Sequence, residues 1–144
     1  TMKNLTIKCH KSGTTYAKPH FFILNKGMNS GKPQKYPFQN CFVIIFEHEY
    51  DFDNLYFTAY SLWKTNFWHP FLVGSVVLFL RVTHFKTEFI KRVEVSEIKL
   101  DQYNKSAATL KLLEEKEKEF VKNINIINDF KKAIMYKYCN SLKQ

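Results

Sequence analysis

Apolar and polar positions alternate most simply near the start of the chain. Leu5, Ile7 and Cys9 are separated by polar residues, and this period of two predicts a strand over Leu5–Cys9. His20 to Leu24, HFFIL, is short, aromatic and continuous, which predicts a second, more buried strand. Cys41 to Glu47, CFVIIFE, carries the clearest strand pattern in the sequence. Between the second and third strands lie sixteen residues containing Gly27, Gly31, Pro33 and Pro37. A connection of that length is either functional or disordered.

The spacing then changes. Asp53 is placed to cap a helix over Asn54–Thr65, where Leu55, Ala59, Leu62 and Trp63 share a stripe. His69-Pro70 breaks the chain. The apolar run FLVGSVVLFL that follows, Phe71 to Leu80, ends at Arg81 and has half the roughly twenty residues of a spanning helix. It predicts a buried strand over Val73–Val82 and no membrane anchor. Thr83 caps a short helix through Phe85, Phe89, Ile90 and Val93, with Glu94–Gln102 as an extended transition.

A long helix is expected from about Asn104 to Cys139, with Leu110, Leu113, Phe120, Ile124, Ile127, Ile134 and Tyr138 recurring at three- and four-residue steps. Packing of this stripe on the sheet is the simple expectation. A coiled-coil seam is the sharper one, and Glu117 and Lys131 interrupt its heptad positions. At 1.5 Å per residue such a helix runs roughly fifty ångströms and overhangs a small sheet. Its free end would grip a partner or a second copy, giving a homodimer through the long helix. The fold class read from these elements is α+β, a small, largely antiparallel sheet with one short and one long C-terminal helix. No repeat or low-complexity linker divides residues 1–144, so a single domain is expected. Thr1 before Met2 reads as an expression scar and is set aside.

Charge changes the picture more than size does. The net charge is +9, and residues 1–40 hold Lys3, Lys8, Lys11, Lys18, Lys26, Lys32 and Lys35 with no acid at all. Residues 41–80 reverse the sign, with Glu47, Glu49, Asp51 and Asp53 against Lys64. A one-signed basic half favours a polyanionic partner. Only Arg81 and Arg92 are arginine among 22 basic residues, so phosphate contact and shape should outweigh the reading of base edges. The composition is also what an AT-rich genome encodes through codon bias.

Cys9, Cys41 and Cys139 are odd in number and far apart, with no CxxC pair. Together with the lack of an apolar leader pattern, they lead to the expectation of a reduced, cytoplasmic protein. His10, His20, His48, His69 and His84 have no metal-ligand spacing, and neither metal nor cofactor is expected.

LNKGMNSGKP, Leu24 to Pro33, invites comparison with a phosphate-binding loop. The spacing is GxxxGK, one residue short, and Pro33 stands where Ser or Thr should hold magnesium. A nucleotide pocket is therefore not expected. Gly27 and Gly31 permit positive φ, which leaves a shallow anion nest beside Lys26, Lys32 and Lys35 as an expectation; a plain turn with solvated lysines is the competing one. Ser75 lacks the GxSxG elbow. In an extended chain Glu47, Glu49, Asp51 and Asp53 would lie on one side and hold a divalent cation, as a metal-dependent nuclease requires. Carboxylates there also serve simply to favour the start of a helix. Aromatic residues interleave with bases in the first forty positions. Tyr16 and Tyr36, in loops, are the candidate stacking residues for nucleic acid, beside Lys8, Lys11, Lys18, Lys26, Lys32 and Lys35.

The order FFILNKGMNSGKP, PFQNCFVIIFE, SLW and HPFLVGSVVLFLR, between Lys18 and Arg81, resembles a family of small uncharacterised proteins carried by conjugative elements and phages of AT-rich bacteria. The resemblance implies mobile-element biology and brings no catalytic residues. Small basic proteins of that kind commonly inhibit host defence or bind nucleic acid as accessories. The resulting expectation is a non-enzymatic protein that engages a bacterial nucleic-acid-handling complex in the manner of an anti-CRISPR inhibitor. Its partners would be nucleic acid, RNA ahead of DNA, or the defence nuclease itself. The nuclease reading and a DNA target-recognition module, the latter from a β-rich globule followed by a long helix, are the alternatives.

Overall fold

The computed structural model describes residues 4–98 and 100–142. They group into two compact units, Thr1–Ala107 and Ala108–Gln144.

The first unit is built on an antiparallel sheet of β1 (Thr6–Cys9), β2 (His20–Leu24), β3 (Pro33–Gln34) and β4 (Cys41–Ile45), in the order β1-β4-β2-β3. Register follows from the apolar pattern. Phe21 lies opposite Ile44 and Ile23 opposite Phe42, while Ile7 lies opposite Ile44 from the other side. These residues form one face, packed against Leu55 and Ala59 of α1 (Phe52–Lys64) and Phe85, Phe89 and Val93 of α2 (Val82–Ile98). Phe22, Cys41 and Val43 form the other face, covered in part by Tyr16 and Ile45. Strands covered on both faces need apolar side chains at every position, which is why HFFIL and CFVII lack alternation. Pro33 is tolerated because β3 is an edge strand, pairing only with β2.

Aromatic rings fill the core. Trp68, 1 % exposed, lies 4.7 Å from Phe85, and Phe85 stacks on Phe89 at 5.3 Å. Each such pair adds about 0.5–1.5 kcal/mol beyond the burial of its area. The Trp68 ring rests directly on Gly31, and a Cβ at that position would sit 2.6 Å from the indole Nε1. Gly31 has φ +94, so its lack of a side chain serves both the turn and the close approach. The Nε1 itself is buried and finds no acceptor among the described residues.

The α+β class is as expected, but four elements differ from the sequence reading. The run over Val73–Val82 is not one buried strand. Gly74, at φ +115, turns the chain into a hairpin of β5 (Leu72–Val73) and β6 (Phe79–Leu80), and a Cβ there would collide with the Val77 carbonyl. Val76 at its tip is 94 % exposed. The helix expected to end near Val93 continues to Ile98, so the first part of the Glu94–Gln102 transition is helical. The next helix, α3, covers Leu100–Ser141 and begins four residues before the expected start. Finally, α1 begins at Phe52 after a 3-10 turn over Glu49–Asp51; Asp51 precedes it without a side-chain cap, and Asp53 lies in its first turn.

The second unit is the greater part of α3. Its apolar stripe is uncovered: Leu113, Phe120, Ile124, Ile127, Ile134 and Tyr138 are all more than half exposed.

Candidate nucleic-acid interface

Six lysines and two tyrosines were the sequence candidates, and the fold distributes them over several neighbourhoods. Lys8 projects from the outer face of the sheet, opposite Val43, with its ammonium 5.5 Å from the Tyr16 ring centroid. Tyr16 lies across that face, where its hydroxyl and His10 Nδ1 are hydrogen-bonded at 3.0 Å and its ring meets His20 at 5.2 Å. Burial, and secondarily the nearby Cys41 sulfur, pushes the Tyr16 phenol above its ordinary value. This ring is therefore part of the wall of the sheet, with Lys8 at its margin. Lys11 lies in the turn just beyond β1, where its carbonyl accepts from Thr14 N–H at 3.1 Å.

Lys18 stands at the start of β2 and is committed elsewhere, its Nζ donating to Glu47 Oε1 at 2.7 Å. Lys26 stands beyond the other end of β2, so the length of the strand, roughly 17 Å, separates the two. Lys26 is bridged to Phe79 of the hairpin and lines a cavity of about 330 Å³ with Asn25, Asn40, Arg81 and Thr83. Lys35 and Tyr36 follow β3 on an exposed loop, Tyr36 being 77 % exposed. Lys8 stands on the outer face of the sheet beside Tyr16, whereas Lys32 leaves its loop for Trp63 of α1, the helix packed on the other face. One continuous patch is not formed.

The glycine loop is a structural turn rather than an anion nest. Both glycine amides and two of their neighbours are taken: Gly27 N–H donates to Leu78 carbonyl, Ser30 N–H to Gly27, Gly31 N–H to Leu24 and Lys32 N–H to Asn29, at 2.7 to 3.1 Å. Ser30 is 2 % exposed and its hydroxyl donates to the Gly27 carbonyl at 2.6 Å. A nest needs amides left free to point at an anion.

The acidic cluster also departs from the extended geometry on which a cation site was argued. Residues 49–51 are wound in the 3-10 turn, so Glu49 and Asp51 do not alternate as in a strand, and Glu47 is paired with Lys18. Among the described residues, no three His, Cys, Asp or Glu side chains are placed to hold a metal ion.

Two ammonium groups meet at one ring on α1, where Lys32, a sequence candidate, joins Trp63 and Lys64, which were not. Lys32 leaves the loop toward α1, where its ammonium lies 5.1 Å from the centroid of Trp63. Lys64 approaches the same indole at 5.0 Å and the Tyr60 ring at 5.5 Å. Tyr60 and Trp63 meet edge to face at 5.6 Å. The i, i+3, i+4 spacing of Tyr60, Trp63 and Lys64 puts them on one side of α1 and was legible; Trp63 had been assigned to the buried stripe instead, whereas it is only half-buried. Lys32 reaches them across the fold, and no local signal announces that. Two ammonium groups at one indole, neither of them in an ion pair among the described residues, make a basic, π-faced surface. Such a surface suits a phosphate chain with flat bases.

A family model matches residues 7–137 of the chain. The chain belongs to the family of unknown function DUF6943. No curated protein and no solved structure matches it. No helix among the described residues is long and apolar enough to cross a membrane.

Proposed function

We infer that this DUF6943 protein is a non-enzymatic nucleic-acid-binding protein that holds single-stranded RNA by phosphate contact and base stacking. The observation that carries the reading is the pair of ammonium groups, Lys32 and Lys64, at the Trp63 ring beside Tyr60. Stacking on aromatic rings is indifferent to sequence, and lysine contacts phosphate as a point charge. The lysine-rich composition agrees with binding of that kind. Lys26 and Arg81, which line a separate cavity, would offer a second cationic contact. The resemblance noted between Lys18 and Arg81 supports the narrower reading of a mobile-element protein that engages a bacterial defence complex, as an anti-CRISPR inhibitor does, by occupying its guide RNA.

The test is a titration of labelled single-stranded RNA, followed by fluorescence anisotropy over a salt series. For single strands log K falls with log salt at about −0.7 per neutralised phosphate, so Lys32→Ala with Lys64→Ala should flatten the slope by about 1.4. Trp63→Ala should lose about 1–3 kcal/mol of binding at every salt concentration, the value of one stacked base. Absence of binding by the wild type, or a slope indifferent to both lysines, sinks the reading. Binding only after the host effector is added moves the contact to protein.

A further inference from the structure

The stripe on α3 is interrupted by two charges of opposite sign. Leu110, Glu117, Ile124, Lys131 and Tyr138 repeat every seven residues, and Leu113, Phe120, Ile127 and Ile134 repeat every seven between them. Glu117 and Lys131 therefore stand one heptad before and one heptad after Ile124. Val121, Phe130 and Met135 flank the seam and are 52 %, 68 % and 58 % exposed.

We propose that residues 110–138 form an antiparallel coiled coil with the same helix of a second copy, its two-fold axis passing beside Ile124. Three observations select this occupant. First, the surface is large: at roughly 100 Å² of exposed apolar area for each of nine side chains it approaches 900 Å². That exceeds the 300–600 Å² patch of a typical monomer and reaches the ~800 Å² that each partner gives to a standard interface. Second, the seam repeats every 3.5 residues on average, the period that keeps one face toward a facing helix. Third, the charges choose the direction. In a parallel pair Glu117 would face Glu117 and Lys131 would face Lys131, two like-charged contacts inside an apolar seam. In an antiparallel pair Glu117 of one copy lies within a helical turn of Lys131 of the other, and the symmetry makes this contact twice. Polar residues at single seam positions set register and orientation in this way.

The experiment uses the full chain and its mass in solution, by light scattering behind a sizing column at about 100 μM, with circular dichroism to follow helix content. The wild type is expected at twice 17.2 kDa. Glu117→Lys and Lys131→Glu alone each place like charges in both contacts, and each is expected to raise the dissociation constant at least tenfold and elute as monomer. The double variant, Glu117→Lys with Lys131→Glu, exchanges the charges and is expected to return to the dimer. A monomeric wild type overturns the proposal. So do single variants that remain dimeric, the result for a parallel seam, and a double variant that stays monomeric.

Discussion

The two compact units spend their apolar residues differently. Between residues 4 and 107 a set of rings closes the core: Phe21, Phe42, Trp68, Phe85 and Phe89 are each at most 1 % exposed. Between residues 108 and 142 Phe120, Phe130 and Ile134 are each more than 60 % exposed. Hydrophobic content alone does not separate these regions. Non-local chain does: the sheet needs its registers before its face exists, while a helix satisfies its backbone within itself and offers a complete stripe without any tertiary contact. Stability therefore resides in the first unit, and the exposed stripe is left for association.

Breaking the comparison at its strongest point means removing Trp68. Trp68→Ala should cost about 3–5 kcal/mol in urea unfolding, the usual price of a deleted buried ring. Gly31→Ala should approach that loss, because the new methyl meets the indole and the backbone φ of +94 opposes a side chain. Trp68→Phe should cost clearly less than the volume change suggests, since it removes the buried Nε1 donor that has no acceptor. Phe120→Ala, measured at a concentration low enough to keep the chain monomeric, should stay within about 0.5 kcal/mol of wild type. An equal loss at Trp68 and Phe120 would erase the distinction between the two regions.

How much of this contrast was legible depends on whether its cause is local. β2 and β4 announced themselves because an apolar run of five can only be satisfied between two layers. The α3 stripe was equally plain, but its exposure was not, since periodicity marks a face and says nothing about what covers it. The hairpin was hidden inside FLVGSVVLFL, where apolar content suggested burial and the deciding feature was one glycine at positive φ. The first forty residues were correctly read as a run of lysines without acids. Their convergence was not readable: sheet order β1-β4-β2-β3 sends Lys8 to one face and Lys32 around to α1. Trp63 and Lys64 belonged to the helix pattern, yet their partner came from a loop about thirty residues away, a distance no window spans.

The thiols give an intermediate contrast. Cys9 and Cys139 are exposed, one in each unit, while Cys41 is buried and its Sγ–H donates to the Phe38 carbonyl at 3.0 Å. Burial pushes the Cys41 thiol above its ordinary value, so less of it is thiolate at any pH. Alkylation at pH 8 followed by mass spectrometry should modify Cys9 and Cys139 at least tenfold faster than Cys41. Unfolding in urea should equalise the three. The same shift has a sign for stability. The unfolded thiol releases its proton first as pH rises, so the contribution of Cys41 is intact below the ordinary thiol value and is lost above it, and Tyr16 acts in the same direction at higher pH. Rapid modification of native Cys41 would mean that the outer face of the sheet opens without global unfolding.

The smallest effect gives the most controlled comparison, because the described residues of each unit include an ion pair of the same spacing and length. Glu88 and Lys91 on α2 meet at 2.8 Å, and so do Lys116 and Glu119 on α3. Two physical differences separate them. Glu88 keeps only 21 % of its side-chain surface exposed, whereas Glu119 keeps 55 %, so water screens the second pair more. The order of charges also differs, with the acid leading toward the N-terminus on α2, which suits the helix dipole, and the base leading on α3, which does not. Glu88→Gln should therefore cost about 0.5 kcal/mol, and Glu119→Gln about 0.2 kcal/mol or less, each halved by 1 M salt. Double-mutant cycles with Lys91→Gln and Lys116→Gln isolate the pair energies from other effects of the substitutions. A coupling on α3 equal to that on α2 would mean that the middle of the long helix around Lys116 is shielded in solution, which is the result expected only where a second copy or another partner covers it.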